Sequence, residues 1–110
     1  MVLVKGSYIV ALITCSSKEE AEKIAKRLLE AKVAACINVV ADVKSRFWWE
    51  GRIDEADEAL LIIKTRLDLF EELVKEVKAL HSYTVPEIIA LPIIEGYTGY
   101  LNWLDESVKP

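Results

Sequence analysis

Histidine occurs once in this chain, at position 81, and no nucleophile partner for it is evident in the sequence. A phosphate-cradling glycine loop and a nucleophile elbow are both missing. These absences point away from an enzyme. The only cysteines, Cys15 and Cys36, have no zinc-finger spacing, and no segment has the layout of a secretory signal, so a reducing, cytoplasmic compartment is expected. No apolar run reaches the ~18 residues of a membrane span. No membrane partner is therefore expected. A formal net charge of −4, with no basic block, argues against nucleic acid, whose backbone is bound by clustered Lys and Arg. Internal repeats, low-complexity tracts and linkers are also missing, so residues 1–110 read as a single domain.

Apolar residues, by contrast, are abundant. They make up 53% of the chain, above the ~45–50% of ordinary soluble domains. With no membrane span to absorb the excess, a subunit interface is the expected outlet.

Read in order, Ser7 to Cys15 is a nearly continuous apolar run of strand length, as for a strand in the middle of a sheet. Ser16 with Glu19, or Ser17 with Glu20, has the spacing of a capping box. Ala21, Ile24, Ala25, Leu28 and Leu29 then recur at three and four, with Glu20, Lys23, Lys26, Arg27 and Glu30 opposite, which predicts an amphipathic helix over a sheet. The pattern returns to strand over Val33 to Val43, with an irregularity near Asp42, and again over Arg46 to Glu50 before a turn at Gly51. An acidic segment, Asp54 to Glu58, precedes the buried-type strand Ala59 to Lys64. Thr65 with Asp68 offers a helix cap, and Leu67, Phe70, Leu73, Val74, Val77 and Leu80 form an apolar face that ends at His81.

Pro86 cannot donate a ladder hydrogen bond and biases Val85 away from helix, so a strand begins there and runs toward Pro92. His81 thus stands at a helix-to-strand corner. Thr98 to Ser107 predicts a terminal helix with Tyr100, Leu101 and Leu104 inward.

The order β-α-β-β-α-β plus a terminal helix predicts an α+β, ferredoxin-like split βαβ domain, and right-handed crossovers leave little choice of topology. The two strands flanking Gly51 form a long hairpin. Cys15 and Cys36 then lie roughly a strand length apart, ~20 Å, too far for a disulfide. His81, Glu58 and Cys15 share one edge of the sheet, and Cys36 joins them only across a subunit boundary. Because adjacent strand residues point to opposite faces, Trp48 and Trp49 cannot enter the same core. One ring is expected inside the subunit and the other at an interface, with Phe47 beside them. Which ring goes where is open.

The motifs Ala34-Ala35-Cys36-Ile37-Asn38, Trp48-Trp49-Glu50-Gly51, Ile63-Lys64-Thr65, His81-Ser82-Tyr83-Thr84-Val85-Pro86-Glu87-Ile88-Ile89 and Tyr100-Leu101-Asn102-Trp103-Leu104 occur in this order. Together they resemble the CutA family, the divalent-cation tolerance proteins, from about Tyr8 to Ser107. The resemblance implies a homotrimer assembled through the long hairpin and sheet edges, similar in architecture to the PII signalling proteins. It also implies a role in copper or heavy-metal homeostasis. The family's polar cluster falls at Trp49, Glu58, Lys64, His81 and Tyr83, all present here. Copper ligands proposed for bacterial members include two consecutive histidines and a cysteine inside the first strand. Of these only His81 has its counterpart, since Leu80 and Ile13 occupy the other places. Cys15 faces the same side of the strand as Ile13 and is the natural substitute.

The candidate metal ligands are accordingly His81 with Cys15 or Glu58 in one subunit, or with Cys36 from elsewhere in the assembly. Thiolate with imidazole suits Cu(I) or Zn(II); imidazole with carboxylate suits Cu(II) or Zn(II). Copper or another divalent cation is the expected cofactor, and no organic cofactor is indicated. Each residue also has a structural reading: His81 bonding the last carbonyls of its helix, Cys36 as a small buried hydrophobe, Glu58 and Lys64 as an ion pair, Glu87 as an edge-strand charge. Two other functions stay open, a PII-like small-molecule sensor and a small-molecule enzyme using Glu58, Lys64 and His81 for acid–base work.

Overall fold

A computed structural model of the chain describes residues 7–110. The single-domain expectation extends to residues 1–6, which lie outside the described residues. Eight elements follow in order: β1 (Tyr8–Cys15), α1 (Lys18–Glu30), β2 (Cys36–Trp49), β3 (Arg52–Arg66), a 3-10 turn (Leu67–Leu69), α2 (Phe70–Leu80), β4 (Ile88–Ile93) and α3 (Thr98–Ser107). The sheet order is β2-β3-β1-β4, with β1 antiparallel to both β3 and β4. This is the ferredoxin-like arrangement that the order of elements predicts.

Burial along β1 alternates strictly, and the buried set Ile9, Ala11, Ile13 and Cys15 faces the helices. Ala59, Leu61 and Ile63 of β3 join them, and α1 and α2 bring Ile24, Leu28, Leu73 and Val77 onto this face. Apolar atoms are thereby removed from water at about 25 cal/mol per Å². The other face carries Val10, Leu12, Leu60 and Ile62 half-buried and Val40, Ile89 and Leu91 exposed. Neither α1 nor α2 covers it. α3 closes only its far end, where the Tyr8 hydroxyl donates to Asp105 Oδ2 at 2.6 Å and Arg66 reaches Asp105 and the Lys109 carbonyl.

Several boundaries differ from the sequence reading for identifiable reasons. β2 is one strand rather than two pieces: a bulge between Val40 and Val43, with Asp42 at φ 62, absorbs the irregularity. Val33 and Ala34 are buried ahead of it rather than inside it. β3 starts at Arg52, so the acidic segment Asp54 to Glu58 is strand. Glu50 and Gly51 both have positive φ and join Trp49 to Arg52, the two-residue turn whose twist suits a hairpin. Thr65 does not cap α2. Its hydroxyl lies fully buried and donates to the Val33 carbonyl at 2.7 Å, while Asp68 pairs with Arg66. At the other helix the second capping alternative holds, since Ser17 Oγ accepts from the Glu20 amide at 3.0 Å. In the terminal helix Leu104 is buried, Leu101 is half-buried and Tyr100 is exposed rather than inward.

The hairpin projects beyond the body, and the longest dimension of the domain is 46 Å against 25 and 22 Å for the others. Trp48 is 72% exposed and Trp49 57%, so neither ring enters the core of the domain. Alternation along the strand separates the two rings, as expected. At that distance from the helices, however, no core lies on either side.

Candidate functional site

His81 is the C-cap of α2, and its side chain is fully enclosed. Nε2 lies 2.8 Å from the Thr14 carbonyl oxygen, which has no proton to give, so Nε2 carries the hydrogen. Nδ1 accepts from the Tyr83 amide at 3.0 Å. The ring is therefore the neutral tautomer with a single in-plane lone pair, on Nδ1. The helix-terminal bonding to α2 carbonyls that the sequence offers for His81 is not the one made. Its ring reaches across to β1 instead.

Glu20 stands on the Nδ1 side, with Oε1 4.0 Å away. Its carboxylate accepts from the Ser16 amide at 2.8 Å, the Ser16 hydroxyl at 3.1 Å and the Ser82 amide at 2.8 Å. Burial alone pushes its pKa up, but these serine hydrogen bonds outweigh burial and hold it below the usual carboxylate value. Cys15 completes the group at the end of β1. Burial first, then the charges of Glu20 and Glu58, push its thiol up to about 12. The ligand atoms of Cys15, Glu20 and His81 all lie within 4.8 Å of one another. Among the described residues no other set of three such side chains converges this closely.

Glu58 is not part of this group. Cys15 pairs with Ala59, so Cys15 and Ala59 share the helix-covered face and Glu58 points to the opposite one. There its Oε2 accepts from the Tyr83 hydroxyl at 2.7 Å. Burial and then this bond push the Tyr83 phenol above its ordinary value. A groove of about 780 Å³ runs along this side, with Thr14, Trp49, Asp54, Glu58, Tyr83 and Glu87 among its walls. Glu87 therefore contributes to a concave surface just before β4.

The remaining members of the expected cluster lie apart within the chain. Lys64 is six residues beyond Glu58 on β3, about 20 Å along the strand, and donates to Asn38 Oδ1. No ion pair joins it to Glu58. Cys36 pairs across the ladder with Lys64 and sits beside Tyr100, and both cysteines are free thiols. Phe47 and Trp49 line the groove, whereas Trp48 lies on the opposite face of the hairpin. The residue that sequence reasoning left out of the site is Glu20. Its capping-box spacing was visible, yet that motif gives no hint that the carboxylate also meets His81 and Ser82.

A thiol, a carboxylate and an imidazole converging at one end of a ferredoxin-like sheet define an α+β domain with a compact mixed-donor cluster. The CutA1 divalent ion tolerance protein family matches residues 9–107, and the chain belongs to this family of divalent-cation tolerance proteins. It is 56% identical over 97 residues to the divalent-cation tolerance protein CutA of Archaeoglobus fulgidus, covering 88% of this chain and 94% of that one. The Thermus thermophilus protein of the same name is 51% identical over 98 residues, covering 89% and 95%. Among solved structures, CutA1 from Oryza sativa superposes with a TM-score of 0.92 at 44% identity, over 94% of this chain and 95% of that one.

Proposed function

We propose that this protein serves divalent-cation tolerance by binding a copper or zinc ion directly, at Cys15, Glu20 and His81, and that it does so as a homotrimer rather than as an enzyme. The observation that carries the reading is the convergence of three ligand atoms of different softness within 4.8 Å. The donor set fits the ion. Thiolate and imidazole favour Cu(I) and Zn(II), and a carboxylate is an accepted third ligand for zinc. His81 contributes Nδ1, the ring atom facing Glu20, while its Nε2–H on Thr14 fixes the ring as carbonyl partners do for metal-bound histidines. Cys15 holds its proton until an ion displaces it.

Support for the assembly comes from the sheet face that α1 and α2 leave bare, with Ile89 and Leu91 about half exposed, and from Trp48 and Trp49 on the hairpin. Exposed apolar side chains grouped in this way are what a subunit interface would cover. The experiment is an equilibrium competition titration with Cu(I) and Zn(II). Affinity should fall in Cys15→Ser, Glu20→Gln and His81→Ala alike. Unchanged affinity in all three variants overturns the reading.

A further inference from the structure

His81 Nδ1 has one lone pair, and the Tyr83 amide already occupies it at 3.0 Å. An ion and that amide therefore exclude each other. The imidazole is also fully enclosed, so an ion reaches Nδ1 only when something covering it moves. Tyr83 is held at both ends. Its amide lies on His81, its ring centroid is 4.8 Å from the imidazole, and its hydroxyl donates to Glu58 Oε2 in the groove on the other side of the sheet. No helix or strand spans 81–87 to resist a change in this backbone, and the neighbouring Ser82 and Thr84 are exposed, so water can satisfy the released amide.

We propose that Tyr83 is a gate coupling two sites: an ion binding His81 Nδ1 displaces the Tyr83 amide, and the same movement withdraws the Tyr83 hydroxyl from Glu58. Metal loading on the helix side of the sheet thereby frees a carboxylate that is nine-tenths buried while Tyr83 is in place and opens the groove beside Trp49. Linkage makes the effect reciprocal, so whatever stabilises the displaced Tyr83 raises metal affinity by the same factor. The inference rests on the reading of His81 as a metal ligand. The Cys15 thiol proton leaves to solvent as the ion binds, and no other covalent bond changes. One hydrogen bond to nitrogen is exchanged for a coordinate bond, and one phenol–carboxylate bond is released.

Zn(II), which is redox-silent, is the probe. Nitrogen-15 NMR of the full chain reports His81 Nδ1 directly, and hydrogen exchange of the Tyr83 amide reports the gate. The proposal expects zinc to shift Nδ1 and at the same time to speed exchange at Tyr83 by about tenfold or more, as loss of a protecting hydrogen bond requires. A shifted Nδ1 with unchanged Tyr83 protection overturns the gate and leaves the metal site standing. An unshifted Nδ1 overturns both. Tyr83→Phe supplies the second arm: without the Glu58 bond the closed state is weaker, so zinc should bind roughly 3-fold to 10-fold more tightly. Equal or weaker binding in Tyr83→Phe contradicts the coupling.

Discussion

The His81 imidazole and the Thr14 carbonyl meet at 2.8 Å, 67 residues apart in sequence, and this bond fastens the end of α2 to the end of β1. The ring fills an enclosed space, and removing it leaves a carbonyl without its donor. His81→Ala should therefore cost about 2–4 kcal/mol in the absence of any metal. Urea denaturation of the chelator-treated protein measures this. A midpoint equal to that of the wild type would show that the bond contributes nothing.

Thr65 makes the opposite kind of test, because the substitution is nearly isosteric. Thr65→Val keeps the volume but strands the Val33 carbonyl, at a cost of about 1–3 kcal/mol. Thr65→Ser keeps the hydroxyl and should cost less; were Thr65 a helix cap, Thr65→Val would instead loosen the start of α2 and leave the segment around Val33 unaffected. Denaturation of both variants, with hydrogen exchange around Val33, distinguishes the two roles.

Tryptophan truncation separates assembly from folding. Trp48 and Trp49 are largely exposed in the subunit, so Trp48→Ala and Trp49→Ala should change monomer stability by less than about 1 kcal/mol. Sedimentation should show the proposed trimer weakened in both. A wild type that sediments as a monomer at micromolar concentration contradicts the assembly.

Alkaline pH should loosen α3. The hydrogen bond to Asp105 comes first among the causes that raise the Tyr8 phenol above 10. A raised folded pKa contributes stability that is complete below the unfolded value near 10 and is lost as pH rises through the folded value. Tyr8→Phe should remove that contribution at neutral pH and flatten the decline above pH ~10. Thermal unfolding of both proteins from neutral to alkaline pH checks the difference; parallel curves contradict it.

The order of elements, the hairpin turn and the corner at His81 were legible because periodicity, Gly51 and Pro86 act locally. So was the separation of Cys15 from Cys36, which follows from topology alone. What stayed hidden depends on partners distant in sequence. Glu20 satisfies a local capping pattern and so reads as solvated helix surface, yet its second oxygen accepts from Ser82, 62 residues away. Thr65 reads as a cap because the Val33 carbonyl that claims its hydroxyl comes from another element. Cys15 and Glu58 reach the same sheet end, but the strand pleat puts them on opposite faces. Trp48 and Trp49 alternate as expected, and only the length of the hairpin beyond the helices leaves both rings outside the core.

X-ray absorption of the zinc-loaded protein tests the metal reading most directly, since it reports the atoms bound. One sulfur at ~2.3 Å with nitrogen and oxygen at ~2.0–2.2 Å is the expected first shell, and the sulfur should vanish in Cys15→Ser. A shell of nitrogen and oxygen alone in the wild type would contradict the site at Cys15, Glu20 and His81.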